Sequence, residues 1–176
     1  LLTLARSDAG GLIKEPFDLV ALTRQVALEL LPVARERGID FGVDGPETPL
    51  ISMGDPSLIK QALLNIAHNA LVHGKAQGVV TLTPGQDATH YFLKVVDDGA
   101  GMDPEVFKQM GQRFAKGRGS RGSGLGMAIA SSVMQSHNGQ LTAVAVGAEA
   151  GGWAVGSAIV AGANERQAPI SNRRAD

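Results

Sequence analysis

Apolar residues recur along this chain at two periods, one helical and one alternating, and the switches between them mark its elements. Leu22, Val26, Leu30 and Val33 share one face of a helix predicted over about 19–37, with Asp18 as N-cap and Gly38 as C-cap. Pro32 inside it predicts a kink or an offset start. Before it, "LIKEPFDL" reads as a short extended segment, because Pro16 disfavours helix in the residue ahead of it. "IDFGVD" alternates as a strand does, and "PLISM" predicts another short one. Asp55-Pro56 is a helix start, a capping side chain followed by proline at the first helical position. That helix is predicted to reach about Val72 and stop before Gly74. Val79–Thr83 and Tyr91–Val96 read as strands joined through a turn containing Pro84-Gly85. A glycine-rich, basic stretch follows over 103–123, with a short helix predicted near Glu105–Met110. A last helix opens at Gly124–Gly126, runs to about His137 and is capped by Asn138-Gly139. "LTAVAV" and "GWAVGSAIV" predict a closing strand pair, with Trp153 in the core or on the sheet surface.

This order lacks the regular alternation of a doubly wound parallel sheet. It predicts an α+β chain: a two-layer α/β sandwich whose mixed, mostly antiparallel sheet is covered on one face by about three helices. The chain has 176 residues, which suits one domain with short appendages. "LLTLARSDAGG" does not begin with Met and reads as the end of a helix already under way, so an excised fragment is expected. The expected organisation is a helix end over 1–11, a domain over 12–162 and a polar, disordered tail over 163–176.

Composition narrows the chemistry. The net charge of -1 gives no global basic field, so nucleic acid is not an expected partner. Cysteine is absent, which excludes disulfides and thiolate metal sites. No apolar run approaches the roughly 18 residues that span a bilayer.

Three local patterns carry candidate chemistry. In "QALLNIAHNALVHG", Leu58, Ile59, Ala62, Leu63, Ile66 and Ala70 form one apolar face, while Gln61, Asn65, Asn69 and His73 fall at four-residue intervals in one stripe. Asparagine is a mediocre helix former because its amide competes for backbone bonds. Two of them in mid-stripe fit either a solvated polar face or amide oxygens offered to a hard cation such as Mg²⁺, which is often held by one or two protein oxygens plus substrate phosphates. In "RGSGLGMAIASSVMQSHNG", Gly122, Gly124 and Gly126 precede and open a helix, whose N-terminal N–H groups attract anions. No Gly-Lys-Ser/Thr follows, so this is not a P-loop, and a flexible linker is the plain alternative. Arg113, Lys116, Arg118 and Arg121 crowd beside it, as suits a polyphosphate or merely a solvated loop. "VVDDGAGM" poses the opposite problem. Its glycines open behind two carboxylates, Asp97 and Asp98, which a phosphate would avoid.

Together these blocks resemble the ATP-binding catalytic domain of a sensor histidine kinase, a Bergerat-type fold shared with gyrase-type, heat-shock and mismatch-repair ATPases. "LLNIAHNALVH" is similar to the N box, "DDGAGM" to the first glycine box, "QRFAKG" to the F-box and lid, and "GSGLGMAIA" to the second glycine box. Order and spacing agree over roughly 12–160. The resemblance implies that Asp97 accepts a hydrogen bond from the adenine amino group, with Gly99, Gly101 and Met102 shaping the base pocket and Asp98 solvated. An acceptor-only carboxylate suits an amine donor and disfavours guanine, which presents a carbonyl there. It implies that Asn69 ligates Mg²⁺, that Asn65 lies near the phosphates, and that His73, Arg113, Lys116, Gly122, Gly124, Leu125 and Gly126 contact them. The position before His73 is commonly Lys or Arg in the family and is Val72 here, one expected phosphate contact fewer.

The hydrolytic branches place a general-base Glu four residues before the metal Asn, and this chain has Asn65 there, an amide that cannot act as a base. The resemblance therefore implies little hydrolysis and transfer of the γ-phosphoryl of ATP to a histidine. The four histidines are His68, His73, His90 and His137, and none is followed by Glu or Asp as an acceptor would be. His68 reads as a domain residue and His137 as a helix-end residue favoured by the dipole. The acceptor is expected on a separate dimerisation domain of the same protein, with a response regulator downstream. A homodimeric full-length protein, a monomeric isolated domain and a cytoplasmic location follow, whether or not the whole protein is anchored in the inner membrane. Two other readings stay open, a non-catalytic nucleotide-binding module and an anti-sigma-type serine kinase of the same fold.

Overall fold

The computed structural model describes residues 12–99, 124–146 and 154–163. The expected leading helix end, the lid with its short helix near Glu105–Met110, Trp153 and the tail from 164 lie outside them.

Strand β1 (Glu15–Asp18) leads into helix α1 (Leu19–Glu36). Asp18 Oδ1 accepts from Val20 N–H at 3.0 Å and from Leu50 N–H at 3.1 Å, so the residue that caps α1 also fastens the chain entering β3. α1 runs unbroken through Pro32, from a start at Asp18 and not an offset one. The ring is exposed, and the carbonyl it leaves unbonded belongs to Leu28, itself 71% exposed, where water can bond it. The helix ends in a Schellman motif: Ile39 N–H bonds Ala34 O at 2.9 Å, and Gly38 takes the left-handed position at φ 64, one residue beyond the cap Arg37.

β2 (Asp40–Val43) and β3 (Ile51–Gly54) follow, then α2 (Pro56–His73). Asp55 caps α2 through Oδ1, which accepts from Ser57 and Leu58 N–H at 3.0 and 3.2 Å. Such a cap is worth about 1 kcal/mol. β4 (Val79–Gln86), β5 (His90–Asp97), α3 (Gly124–Ser136), β6 (Gln140–Val146) and β7 (Ala154–Ala163) complete the described elements.

The expected turn at Pro84-Gly85 is not a turn. Both residues lie in β4, pairing with Leu93 and Phe92 of β5, and the reversal is made by Asp87–Thr89. Asp87 Oδ1 accepts from Thr89 and His90 N–H, each at 2.7 Å. Proline is tolerated there because the β2–β4 ladder stops at Val43–Leu82, so no ladder bond needs its missing N–H; the chain at Gly45 packs against the buried ring instead. The Phe92 ring covers Gly85 from the neighbouring strand.

β1 and β3 form a two-stranded antiparallel sheet. The main sheet has the order β2-β4-β5-β7-β6, parallel between β2 and β4 and antiparallel elsewhere. The three helices cover one face of it, making the expected two-layer sandwich. Between the layers, Leu19 and Val26 of α1, Ile59, Leu63 and Leu71 of α2, and Val133 and Met134 of α3 meet Leu82, Leu93 and Val95 of the sheet, all at most 2% exposed. Full burial of each such aliphatic side chain contributes about 1.5–3 kcal/mol.

His137 corrects another expectation. It is 3% exposed; Nε2 accepts from Asp55 N–H at 3.0 Å, and Nδ1 lies 2.7 Å from Val133 O. A backbone N–H can only donate, so Nε2 is bare and the ring is neutral, with its proton on Nδ1. Burial holds its pKa below the ordinary 6.5, against the opposing pull of the Val133 carbonyl and the Asp55 charge, with Lys14 adding to the depression. A neutral ring gains nothing from the helix dipole, so that account of His137 falls. The unfolded chain binds this proton from pH 6.5 downward while the native one does not. Stability from this group is therefore full above that pH and declines below it, until the depressed native pKa is reached. Unfolding free energies from urea titrations in steps from about pH 7 to pH 5 should fall, by at most about 1.4 kcal/mol per pH unit, and His137→Gln should flatten that part of the profile. An unchanged slope in the variant would show that His137 is not the group responsible.

Candidate nucleotide-binding site

α2 is pinned by its apolar face. Leu58, Ile59, Ala62, Leu63, Ile66, Ala67 and Leu71 are buried, with Ala70 half-buried against them. The rotation left to the polar stripe turns Gln61, Asn65 and Asn69 to half-buried positions, while His68 and His73 are exposed. Gln61 Nε2 donates to Asn65 Oδ1 at 3.4 Å, a long bond that orients the amide. Among the described residues Asn65 Nδ2 is buried without a partner. An orphan donor of this kind costs about 1–3 kcal/mol unless something fills it.

The head of α3 is seated on this stripe. A Cβ placed on Gly126 would lie 3.4 Å from Asn65 Cβ and 3.8 Å from its Oδ1. The first turn of α3, with its unbonded N–H groups, thus lies beside the amide, with an ordinary van der Waals spacing left for a Cβ between them. Gly124 opens the helix, Leu125 is 56% exposed beside it, and no acidic residue in the first turn offsets the dipole.

Asp97 ends β5 and is half-buried. Its Oδ1 accepts from Gly99 N–H at 2.9 Å. Burial raises its pKa above the ordinary 3.8; the Gly99 bond opposes this, and the Asp98 charge adds to it. A Cβ on Gly99 would lie 2.6 Å from that Oδ1 and 3.6 Å from Lys75 N, so the loop passes close to the chain leaving α2. Asp97 is in this way brought to the C-terminal end of the helix that carries the asparagines.

Asp98 is not merely solvated. Its Oδ1 accepts from Val79 N–H at 2.8 Å and its own N–H bonds Val79 O at 3.2 Å. Gly78 packs against the same carboxylate so closely that any side chain there would collide with it. The connection Gly74–Gly78 is held from its far side as well, by Arg37 Nη2 to Gly74 O at 3.4 Å and by Gln77 N–H to Arg37 O at 3.2 Å. Sequence reading missed this support. Its only local signal was the pair of glycines bracketing "GKAQG".

The structure thus brings Asn65 together with Gly126, and Asp97 with Gly99, at the two ends of one stretch of α2. It leaves His73 exposed in the last turn. Gly101, Met102, Arg113, Lys116 and Gly122 lie outside the described residues. Among the described residues no cluster of three His, Asp or Glu exists that could hold a metal alone. No helix among them is long and apolar enough to cross a membrane.

An amide stripe thus lies beneath a glycine-opened helix, beside a half-buried carboxylate. Residues 54–163 match the family model described as histidine kinase-, DNA gyrase B-, and HSP90-like ATPase. The chain is 35% identical over 150 residues to the probable sensor histidine kinase TcrY of Mycobacterium tuberculosis, covering 81% of this chain and 31% of that protein. It is 34% identical over 145 residues to the signal transduction histidine-protein kinase/phosphatase MprB of Mycolicibacterium paratuberculosis, covering 80% and 27%. Among solved structures, that of a mycobacterial sensor histidine kinase MprB superposes with a TM-score of 0.67 at 30% identity, over 86% of this chain and 99% of that one. Full-length ShkA in complex with AMPPNP superposes at 0.75 with 29% identity, over 96% of this chain and 35% of that one. The chain belongs to the histidine kinase-, DNA gyrase B- and HSP90-like ATPase family, in its sensor histidine kinase branch. It spans about a third of the length of the curated relatives it matches, 31% and 27% for these two.

The environment of Asp97 can be read directly. In a carboxyl-carbon NMR titration of the nucleotide-free domain, Asp97 should titrate above 3.8, and Asp98→Asn should lower its midpoint by removing the neighbouring charge. An Asp97 midpoint at or below the ordinary value would mean that the carboxylate is solvated and not half-buried.

Proposed function

We propose that this chain is the catalytic domain that binds Mg-ATP and presents its γ-phosphoryl to a histidine of a separate dimerisation domain, from which a response regulator is served. The observation that carries the reading is the seating of Gly126 on Asn65, which places helix N–H donors and amide oxygens on one small volume.

Asp97 would accept from the adenine amino group. Its raised pKa reflects an unfavourable burial of charge, and a donor at that spot stabilises the ionised form. Guanine offers a carbonyl oxygen there, which an acceptor-only group repels. Gly99, Gly101 and Met102 would line the base. The N–H groups of Gly124–Gly126 would bond phosphate oxygens, and Asn65 Nδ2, unfilled in the structure, has the donor to join them. Arg113, Lys116, Gly122, Leu125 and His73 complete the phosphate surroundings on this reading. Asn69 Oδ1 is the protein oxygen for Mg²⁺. A single amide fits that ion because no acidic cluster surrounds it among the described residues, leaving phosphates and water as its other ligands. When bound, the ion neutralises charge on the phosphates.

The chain's own work is then positioning: the base fixed at Asp97, the phosphates at the head of α3, and the γ-phosphoryl turned outward to an imidazole in line with it. Asn65 cannot deprotonate water, so transfer is favoured over hydrolysis.

The thermal midpoint tests the binding step. Mg-ATP at about a hundred times its dissociation constant should stabilise by about 2.7 kcal/mol, a rise of about 5–10 °C. Mg-GTP should give far less, Asn69→Ala should reduce the Mg-dependent part, and Asp97→Asn should weaken ATP by about tenfold or more while narrowing the preference over GTP. The step that follows is transfer of labelled phosphate to a supplied dimerisation domain. Binding without transfer would favour a non-catalytic module, and labelling of serine in a protein acceptor would favour the serine-kinase reading. Hydrolysis as fast as in the gyrase-type enzymes would contradict the role given to Asn65.

A further inference from the structure

Helices α2 and α3 run antiparallel and are tied at two places. At one, Gly126 rests on Asn65. At the other, His137, the C-cap residue of α3, accepts the Asp55 N–H at 3.0 Å across 82 residues of sequence. The two ties lie roughly 15 Å apart along either helix, so they bracket the same length of both.

The second tie completes a motif whose usual partner is missing. Asp55 caps α2 through its side chain, which leaves its own N–H without a bond inside the helix. In a capping box, a Glu or Gln at the third helical position reaches back to bond that N–H. Here the third position is Leu58, which has no acceptor. The imidazole supplies one from another helix, held in the right tautomer by its Nδ1 contact to Val133 O at 2.7 Å. Gly54 makes room for it: a Cβ there would lie 2.9 Å from His137 Cδ2.

The rest of the α2–α3 interface is apolar, with Met127, Ala130, Val133 and Met134 buried. Apolar contact is non-directional and tolerates sliding, whereas slipping α3 by one residue, about 1.5 Å, would break a bond of this length. We propose that His137 is a positioning residue that locks the axial register of α3 on α2, keeping the glycine turn at the head of α3 over Asn65. The binding consequence rests on the nucleotide reading above; the register itself does not.

Two readouts separate these. The chain has no cysteine, so spin labels can be placed at His68 and Gln135, both exposed and roughly 16 Å apart along the helix direction. The native domain should give one narrow distance, His137→Ala a broadened or shifted one, and His137→Gln, whose amide oxygen can accept the Asp55 N–H, a narrow one again. In parallel, His137→Ala should weaken Mg-ATP about tenfold, as expected for a lost buried hydrogen bond, yet leave adenosine binding unchanged, because the base is held from β5. Glutamine should restore most of the ATP affinity. If the alanine variant does not fold, Gly54→Ala, which crowds the ring without removing it, should shift the label distance and weaken ATP in the same direction. A variant that melts earlier but keeps the native label distance and ATP affinity would reduce His137 to an ordinary core residue and overturn the proposal. A native domain that binds no Mg-ATP, but whose label distance still depends on His137, would overturn the nucleotide reading and leave the register lock standing.

Discussion

The arrangement depends on one contact, the first turn of α3 lying against the side of α2 at Asn65. A Cβ on Gly126 would meet Asn65 Cβ and Cγ at 3.4 and 3.6 Å, ordinary van der Waals spacing, so the turn and the amide are close neighbours. The arrangement requires that α2 cannot rotate. Ile59, Ala62, Leu63, Ala67 and Leu71 are wholly buried, and turning any of them outward would expose apolar area worth more than the polar stripe could recover. Core packing thus fixes the azimuth of Asn65 and Asn69, and the head of α3 lies beside Asn65. Helix propensity alone would not choose two asparagines in mid-helix, and the packing tolerates them because they are half-buried on the stripe beside the apolar face, outside the hydrophobic layer.

The adjacent pair Asp97-Asp98 shows how one step along a strand can divide two like residues. Alternation sends the two side chains to opposite sides of the β5 end. Asp97 is turned toward the helix layer, where burial makes its charge unfavourable. Asp98 is exposed and takes the Val79 N–H, tying the loop to the first residue of β4. The second carboxylate therefore serves as the hinge pin of the first: it fixes the loop whose glycine N–H orients Asp97. Gly78 and Gly99 are the positions where backbone must pass within contact of a carboxylate, which explains glycine at each.

Much of this was legible in the sequence where a local signal was strong. The Asp18 and Asp55-Pro56 starts, the apolar faces of α1 and α2, and the Asn138-Gly139 end of α3 each follow from side-chain chemistry within a turn or two. The stripe of Gln61, Asn65, Asn69 and His73 followed from helical spacing alone. The failures share a different cause. Pro84-Gly85 looked like a turn because the gap in the ladder that tolerates proline is set by where β2 stops pairing, some forty residues earlier in the chain. Asp98 and His137 looked unremarkable because their partners, Val79 and Asp55, are distant in sequence and are backbone N–H groups, which every residue carries and no pattern advertises.

Val72 bears on how phosphate charge is balanced. The resemblance implies a cation at this position, whereas the chain has Val72, which is half-buried and uncharged. What remains among the described residues is the head of α3 and the exposed His73. An undiluted helix terminus offers about half a positive charge, delivered by fixed N–H groups that need no reorganisation when an anion arrives. It is effective only within a turn of the terminus, so its value depends wholly on where the first turn of α3 sits. With Val72 offering no cation, the proposed site depends on the register of one helix against another, and on the contacts that hold it.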